Sequence, residues 1–132
     1  MRSFYTALFY AALPAVVGRL LWKGLKAPAY RKRIPERFGR YSSSLIPASN
    51  PIWLHAVSVG EAEAAFPLLR MLMERYRQCA FLITTTTPTG SARVRDVFGD
   101  SVAHVYLPYD VPSAVNRFLD TFRPSLAVIM ET

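Results

Sequence analysis

The sequence predicts an α/β protein: a parallel sheet covered by helices, preceded by an apolar N-terminal helix. Two observations carry this. From residue 51 onward, short apolar runs fit for buried strands alternate with segments whose apolar residues fall at helical spacing. Before that, residues 3–18 contain no charged side chain. The 132 residues suffice for one ordinary domain, and 52% hydrophobic against 19% charged residues excludes a wholly disordered chain. A single cysteine, Cys79, excludes an intramolecular disulfide framework and reads as a small apolar residue.

The N-terminal run is extended past Arg19 by Leu20, Leu21 and Trp22. About twenty helical residues span the roughly 30 Å hydrocarbon core of a bilayer, so residues 1–22 are barely long enough to cross. Pro14 is expected to kink this helix, while Tyr5, Tyr10 and Trp22 suit a membrane interface. A cleavable signal peptide fits less well, because its small-x-small site is poorly formed and basic residues follow at once. A buried helix of a soluble protein is the other alternative. An uncleaved anchor or in-plane helix is favoured, with the body in the cytoplasm, where flanking positive residues tend to stay.

Residues 23–50 form a connector, basic up to residue 40 and broken by Pro28 and Pro35. The net charge of +7 is concentrated here: residues 1–40 carry nine basic side chains and one acid, Glu36, and the remainder is close to neutral. Arg19, Lys23, Lys26, Arg31, Lys32 and Arg33 are therefore candidate contacts to an anionic membrane surface, each worth about 1 kcal/mol there. A solvated charge run is the plain alternative. A nucleic-acid binder is disfavoured, since it would spread the charge over a folded face.

The globular part, residues 51–132, reads in order. Residues 52–57 are a strand, 58–60 a turn, and Ala62, Ala65, Phe66, Leu69, Met73 and Tyr76 the apolar side of a helix. Residues 80–85 are a second strand, Pro88-Thr89-Gly90 a break, and 91–98 a short helix. Residues 104–107 are a third strand. A helix over about 111–122 is expected to bury Val115, Phe118, Leu119 and Phe122, and 126–130 is a fourth strand. Sites in parallel sheets lie beyond the carboxyl ends of the strands. That directs attention to Ser58–Glu61, Thr84–Ser91, Pro108–Asp110 and Glu131–Thr132.

In the first of these, Gly60 is expected to allow a tight turn, and Glu61 stands where a general base would. A first-turn Glu is equally favoured by the helix dipole, and Ser58 is a natural N-cap. Dinucleotide, P-loop and esterase-elbow fingerprints are missing. The hydroxyls of Thr84–Thr87, with Gly90, suit a polyhydroxylated or phosphorylated ligand, or simply a strand end and a helix cap. His55 and His104 lie in strands and read as packed or hydrogen-bonded. No metal-ligand spacing occurs.

Several blocks, taken in order, resemble one family. They are Lys26-Ala27-Pro28-Ala29-Tyr30-Arg31-Lys32-Arg33, Glu36-Arg37-Phe38-Gly39, His55-Ala56-Val57-Ser58-Val59-Gly60-Glu61, Thr84–Gly90, Val105-Tyr106-Leu107-Pro108-Tyr109-Asp110 and Ile129-Met130-Glu131-Thr132. The set resembles the N-terminal part of bacterial 3-deoxy-D-manno-octulosonic acid (Kdo) transferases of lipopolysaccharide assembly. The resemblance implies the N-terminal, Rossmann-like half of a GT-B glycosyltransferase, truncated here and inactive by itself. It implies CMP-Kdo as donor and the lipid A precursor (lipid IVA) as acceptor. It further implies an inverting reaction without metal or cofactor at the cytoplasmic face of the inner membrane. Glu61 would be the base, with Ser58, Gly60, Thr86, Thr87 and Gly90 shaping the substrate site. A non-catalytic, membrane-associated binding module of the same fold is the alternative.

Overall fold

A computed structural model describes residues 1–131; Thr132 lies outside the described residues. The helix α1 (Arg2–Lys26) is followed by three short 3₁₀ turns, at Pro28–Arg31, Ile34–Phe38 and Ser43–Leu45. Four strands and three helices then alternate: β1 (Ile52–His55), α2 (Val59–Arg75), β2 (Phe81–Thr85), α3 (Pro88–Phe98), β3 (Ala103–Tyr106), α4 (Pro112–Phe122) and β4 (Leu126–Ile129). All strands pair in parallel, in the order β3-β2-β1-β4. The expected parallel α/β fold with an apolar leading helix is what forms.

Residues on alternate sides of each strand feed two cores. On one face, Ile52, Leu54, Phe81 and Ile83 meet Ala62, Ala65, Phe66 and Leu69 of α2 and Val94 and Phe98 of α3. On the other, Leu82 and Val105 meet Phe118 and Phe122 of α4, with Trp53 and Tyr41 packed alongside. Burial of each large apolar side chain contributes roughly 1.5–3 kcal/mol, so both faces stabilise the sheet. β4 pairs only with β1, and Leu126 and Ile129 on it remain 52% and 65% exposed.

Three expectations need correcting. Pro88-Thr89-Gly90 does not break the chain: it is the first turn of α3, with Pro at N1 and Thr87 as N-cap. Proline is favoured there because its missing N–H would have no intrahelical partner. Leu119 is 41% exposed, and Ala114 instead joins Phe118 and Phe122 inside. Cys79 is exposed in the turn after α2 rather than packed.

The connector folds onto the body. Glu36 and Arg37 are 6% and 5% exposed. Gly39 ends this segment with φ +76°, where a Cβ would come within 2.5 Å of the Ala114 carbonyl oxygen on α4. Arg117 closes the same seam by donating from Nη2 to the Phe38 carbonyl at 2.8 Å. Replacing Gly39 with Ala adds left-handed strain to a clash with helix backbone, which cannot move cheaply. A loss on the order of 2–4 kcal/mol is expected, read as a lower urea midpoint.

Candidate functional site

The strand order reverses between β1 and β4, which places the turn after β1 at the crevice where ligands of such sheets sit. Ser58 is the N-cap of α2, and its side chain accepts from the Glu61 amide at 3.4 Å. The Glu61 carboxylate turns back and accepts from the Val57 N–H at 2.6 Å and the Ser58 N–H at 3.4 Å. This reciprocal capping box fixes the side chain at the positive end of α2. Gly60 makes no tight turn. It sits in the first turn of α2 with open space around it, the nearest atom to an added Cβ being Ser58 Oγ at 4.0 Å. What it supplies is a bare surface beside Glu61.

The other strand-end loops are tied to this turn. The Thr86 N–H and Oγ1 both donate to the Val57 carbonyl, at 3.1 and 2.9 Å. The Thr86 carbonyl in turn accepts from Arg37 Nη2 at 2.9 Å. A continuous path of contacts therefore runs from Glu61 through Val57 and Thr86 to Arg37. Thr87 caps α3 by accepting from the Gly90 amide at 3.2 Å. An added Cβ at Gly90 would lie 3.1 Å from Thr87 Oγ1, so this glycine serves close packing.

Beneath the site lies a layer of buried polar groups. Thr84 Oγ1 accepts from Trp53 Nε1 at 2.9 Å and is hydrogen-bonded to His55 Nδ1 at 2.8 Å. Burial lowers the pKa of His55, and the Glu61 carboxylate opposes that shift. His104 Nδ1 faces Arg33 Nη2 at 3.2 Å; a guanidinium only donates, so Nδ1 accepts and Nε2–H donates to Thr85 Oγ1 at 2.9 Å. Both histidines are thus packed and hydrogen-bonded, as their strand positions imply.

Burial first, then the charges of Arg33 and Arg95, bring the His104 pKa from 6.5 to about 3. The unfolded chain takes up this proton below pH 6.5, whereas the folded one stays neutral until about pH 3. Stability is therefore full above pH 6.5 and falls as the pH drops toward 3. Between pH 7 and 5 the loss is expected to be on the order of 2 kcal/mol, measured as a falling urea midpoint. His55 adds a loss of the same sign.

The basic residues divide. Arg19 and Lys23 line a cleft of about 300 Å³ with Arg37, Thr86, Thr87 and Tyr109. Lys26 lies over the Trp22 ring at 4.6 Å, Arg31 covers Gly24, and Lys32 is exposed. Arg33 is not a membrane contact. It points inward to Glu36, with Nε to Oε1 and Nη2 to Oε2 both at 2.8 Å, and to Ser91 Oγ at 2.9 Å. Desolvating an arginine requires such a partner, and the one acid of the connector is that partner. Charge counting missed Arg37 and Glu36, although an acid isolated among nine bases was a visible signal.

α1 lies against this same end of the sheet. Tyr5 Oη donates to Asp110 at 2.9 Å, and Tyr10 Oη is 2.9 Å from Ser113 Oγ. The helix is continuous through Pro14 and has mean hydropathy 1.5 in its most apolar stretch, almost none of it buried. Phe4, Leu8, Trp22 and Leu25 are among its exposed residues and fall along one stripe at helical spacing.

The family model described as 3-deoxy-D-manno-octulosonic-acid transferase (kdotransferase) matches residues 32–132. The chain belongs to the Kdo transferase family. It is 44% identical to the 3-deoxy-D-manno-octulosonic acid transferase of Haemophilus influenzae, covering 99% of this chain and 31% of that protein. It is 41% identical to the Bordetella pertussis protein of that name over 74% of this chain and 24% of the relative. A probable mitochondrial member from Arabidopsis thaliana is 36% identical, over 96% of this chain and 28% of its own length. The chain thus spans about a third or less of the Kdo transferases it matches. The α/β sheet behind an apolar helix agrees with the N-terminal half of a GT-B enzyme.

Proposed function

We propose that the full-length protein transfers Kdo from CMP-Kdo to the lipid A precursor, lipid IVA, in lipopolysaccharide assembly. The reaction inverts the anomeric centre and uses no metal or cofactor in the active site. It takes place at the cytoplasmic face of the inner membrane, with an anionic bilayer surface as partner and no role for nucleic acid. Glu61 takes the proton from the acceptor hydroxyl as that oxygen bonds to the anomeric carbon of Kdo. The bond from that carbon to the CMP phosphate breaks, and its electron pair leaves with CMP.

The observation that carries this reading is the position of Glu61. Its carboxylate is anchored by the Val57 N–H at the strand-order reversal, at the end of the sheet against which α1 lies. An acceptor embedded in a bilayer under α1 would approach from that side, past the bare surface at Gly60. Ser58 holds the turn, and Thr86, Thr87 and Gly90 build the adjoining wall. The test is Glu61→Gln in the full-length protein with turnover as readout. Near-normal turnover at unchanged folding overturns the assignment.

The alternative is a non-catalytic membrane-associated module of the same fold. On our reading these residues by themselves hold the acceptor side and do not transfer Kdo. An assay of the purified chain with CMP-Kdo and lipid IVA decides that point, since detectable transfer contradicts it.

A further inference from the structure

We propose that the cleft between α1 and the ends of β2 and β3 binds a phosphate monoester. The cleft holds about 300 Å³ and is lined by three cations, Arg19, Lys23 and Arg37, and by no Asp or Glu among the described residues. Thr86 and Thr87 complete its inner wall, and Thr87 is the N-cap of the eleven-residue α3, whose positive end adds to the field. By contrast the half-buried Arg33, outside the cleft, is paired with an acid, Glu36.

Arg37 is the second and independent observation. It is 5% exposed, and its guanidinium lies 4.4 Å over the Tyr106 ring. Its Nη2 is satisfied by the Thr86 carbonyl, but its Nε–H has no acceptor among the described residues, and no carboxylate there pairs with its charge. A buried charge without a counter-ion is costly, and an anion in the cleft that Arg37 lines supplies one. Arginine favours a tetrahedral oxyanion because its planar fork can give two parallel hydrogen bonds to it. Arg19 and Lys23, exposed on α1, then close over the anion from the other side, Lys23 lying 5.4 Å from the Tyr30 ring centroid.

A phosphate reaches this cleft either on a lipid headgroup, along the α1 side, or free in solution. The inference deepens the proposed function by adding a subsite. It rests on that reading only for the membrane position of α1. The path of contacts from Arg37 through Thr86 and Val57 to Glu61 joins the two sites, so an occupied cleft bears on the loop that anchors the carboxylate.

The full 132-residue chain in phosphatidylcholine nanodiscs, titrated with inorganic phosphate, should show saturating shifts of the Thr86 and Thr87 amide resonances. The double variant Arg19→Gln/Lys23→Gln, altered only at exposed positions, should bind about tenfold more weakly, the effect of losing on the order of 1.4 kcal/mol. Arg37→Gln should lose saturation altogether. As Arg37 is packed on Tyr106, that variant is read alongside the exposed pair. In the second arm, vesicles containing phosphatidic acid are compared with vesicles of phosphatidylserine at matched surface potential. A preference for phosphatidic acid that disappears in the double variant assigns the site to a lipid phosphate. Saturation by inorganic phosphate with no such preference assigns it to a soluble one. No saturating shift and no lipid preference, or full retention of both in the double variant, overturns the proposal. Loss of phosphate binding leaves the role of Glu61 standing, and normal turnover of Glu61→Gln leaves the cleft standing.

Discussion

Glu61→Gln in the full-length protein is expected to lower Kdo transfer by about 10²–10⁴-fold while leaving the fold intact. The separation comes from the capping box. The carboxylate accepts from the Val57 and Ser58 amides, and a glutamine carbonyl can accept from the same donors, which is why Gln also serves at this helix position. The favourable interaction of a negative charge with the start of α2, about 0.3–1 kcal/mol, is lost. The amide cannot take up a proton, so under the proposed role of Glu61 the reaction would lose its base. Steady-state transfer from CMP-Kdo and a thermal melt on the same preparation give both readings. A parallel fall in melting temperature and turnover would mean that Glu61 acts through the fold.

The largest effect on stability is expected at Glu36. Its carboxylate receives two hydrogen bonds from Arg33 and a third, at 2.8 Å, from the Tyr106 amide on β3. With Glu36→Ala, the Arg33 side chain, 19% exposed, loses its counter-charge, and a buried N–H loses its acceptor. Breaking a buried pair from one side costs about 3–5 kcal/mol, because the remaining charge stays desolvated. Urea unfolding of the wild type and the variant measures the difference. A change under about 1 kcal/mol would place Arg33 in water rather than against His104.

The main architecture was legible because each level of the sequence agreed with the others. Apolar runs the length of buried strands alternate with helical spacing, and the two periods do not overlap. Ser58 and Glu61 were legible as a cap, since the capping box is local in sequence. The start of α3 was misread because Pro88 has two meanings, a break inside a helix and a favoured residue at its first position. Arg33 is half legible. Its partner Glu36 stands three residues on, but His104 and Ser91, which show that the pair faces inward, are 71 and 58 residues away. The role of Arg37 was hidden in the same way: its acceptor on Thr86 lies 49 residues on. Gly60 suggests a turn in the sequence, whereas its helical position leaves only the missing side chain to matter.

The outward stripe of Phe4, Leu8, Trp22 and Leu25 would have a kinetic consequence if, as proposed, it sits in a bilayer. Tyr5 and Tyr10 tie α1 to the body at Asp110 and Ser113, so seating that stripe would fix the tilt of the whole sheet. A partner confined to the same leaflet then no longer searches a volume for the strand-end loops. It searches an area, and the frequency of encounters follows its surface density and lateral diffusion rather than its bulk concentration.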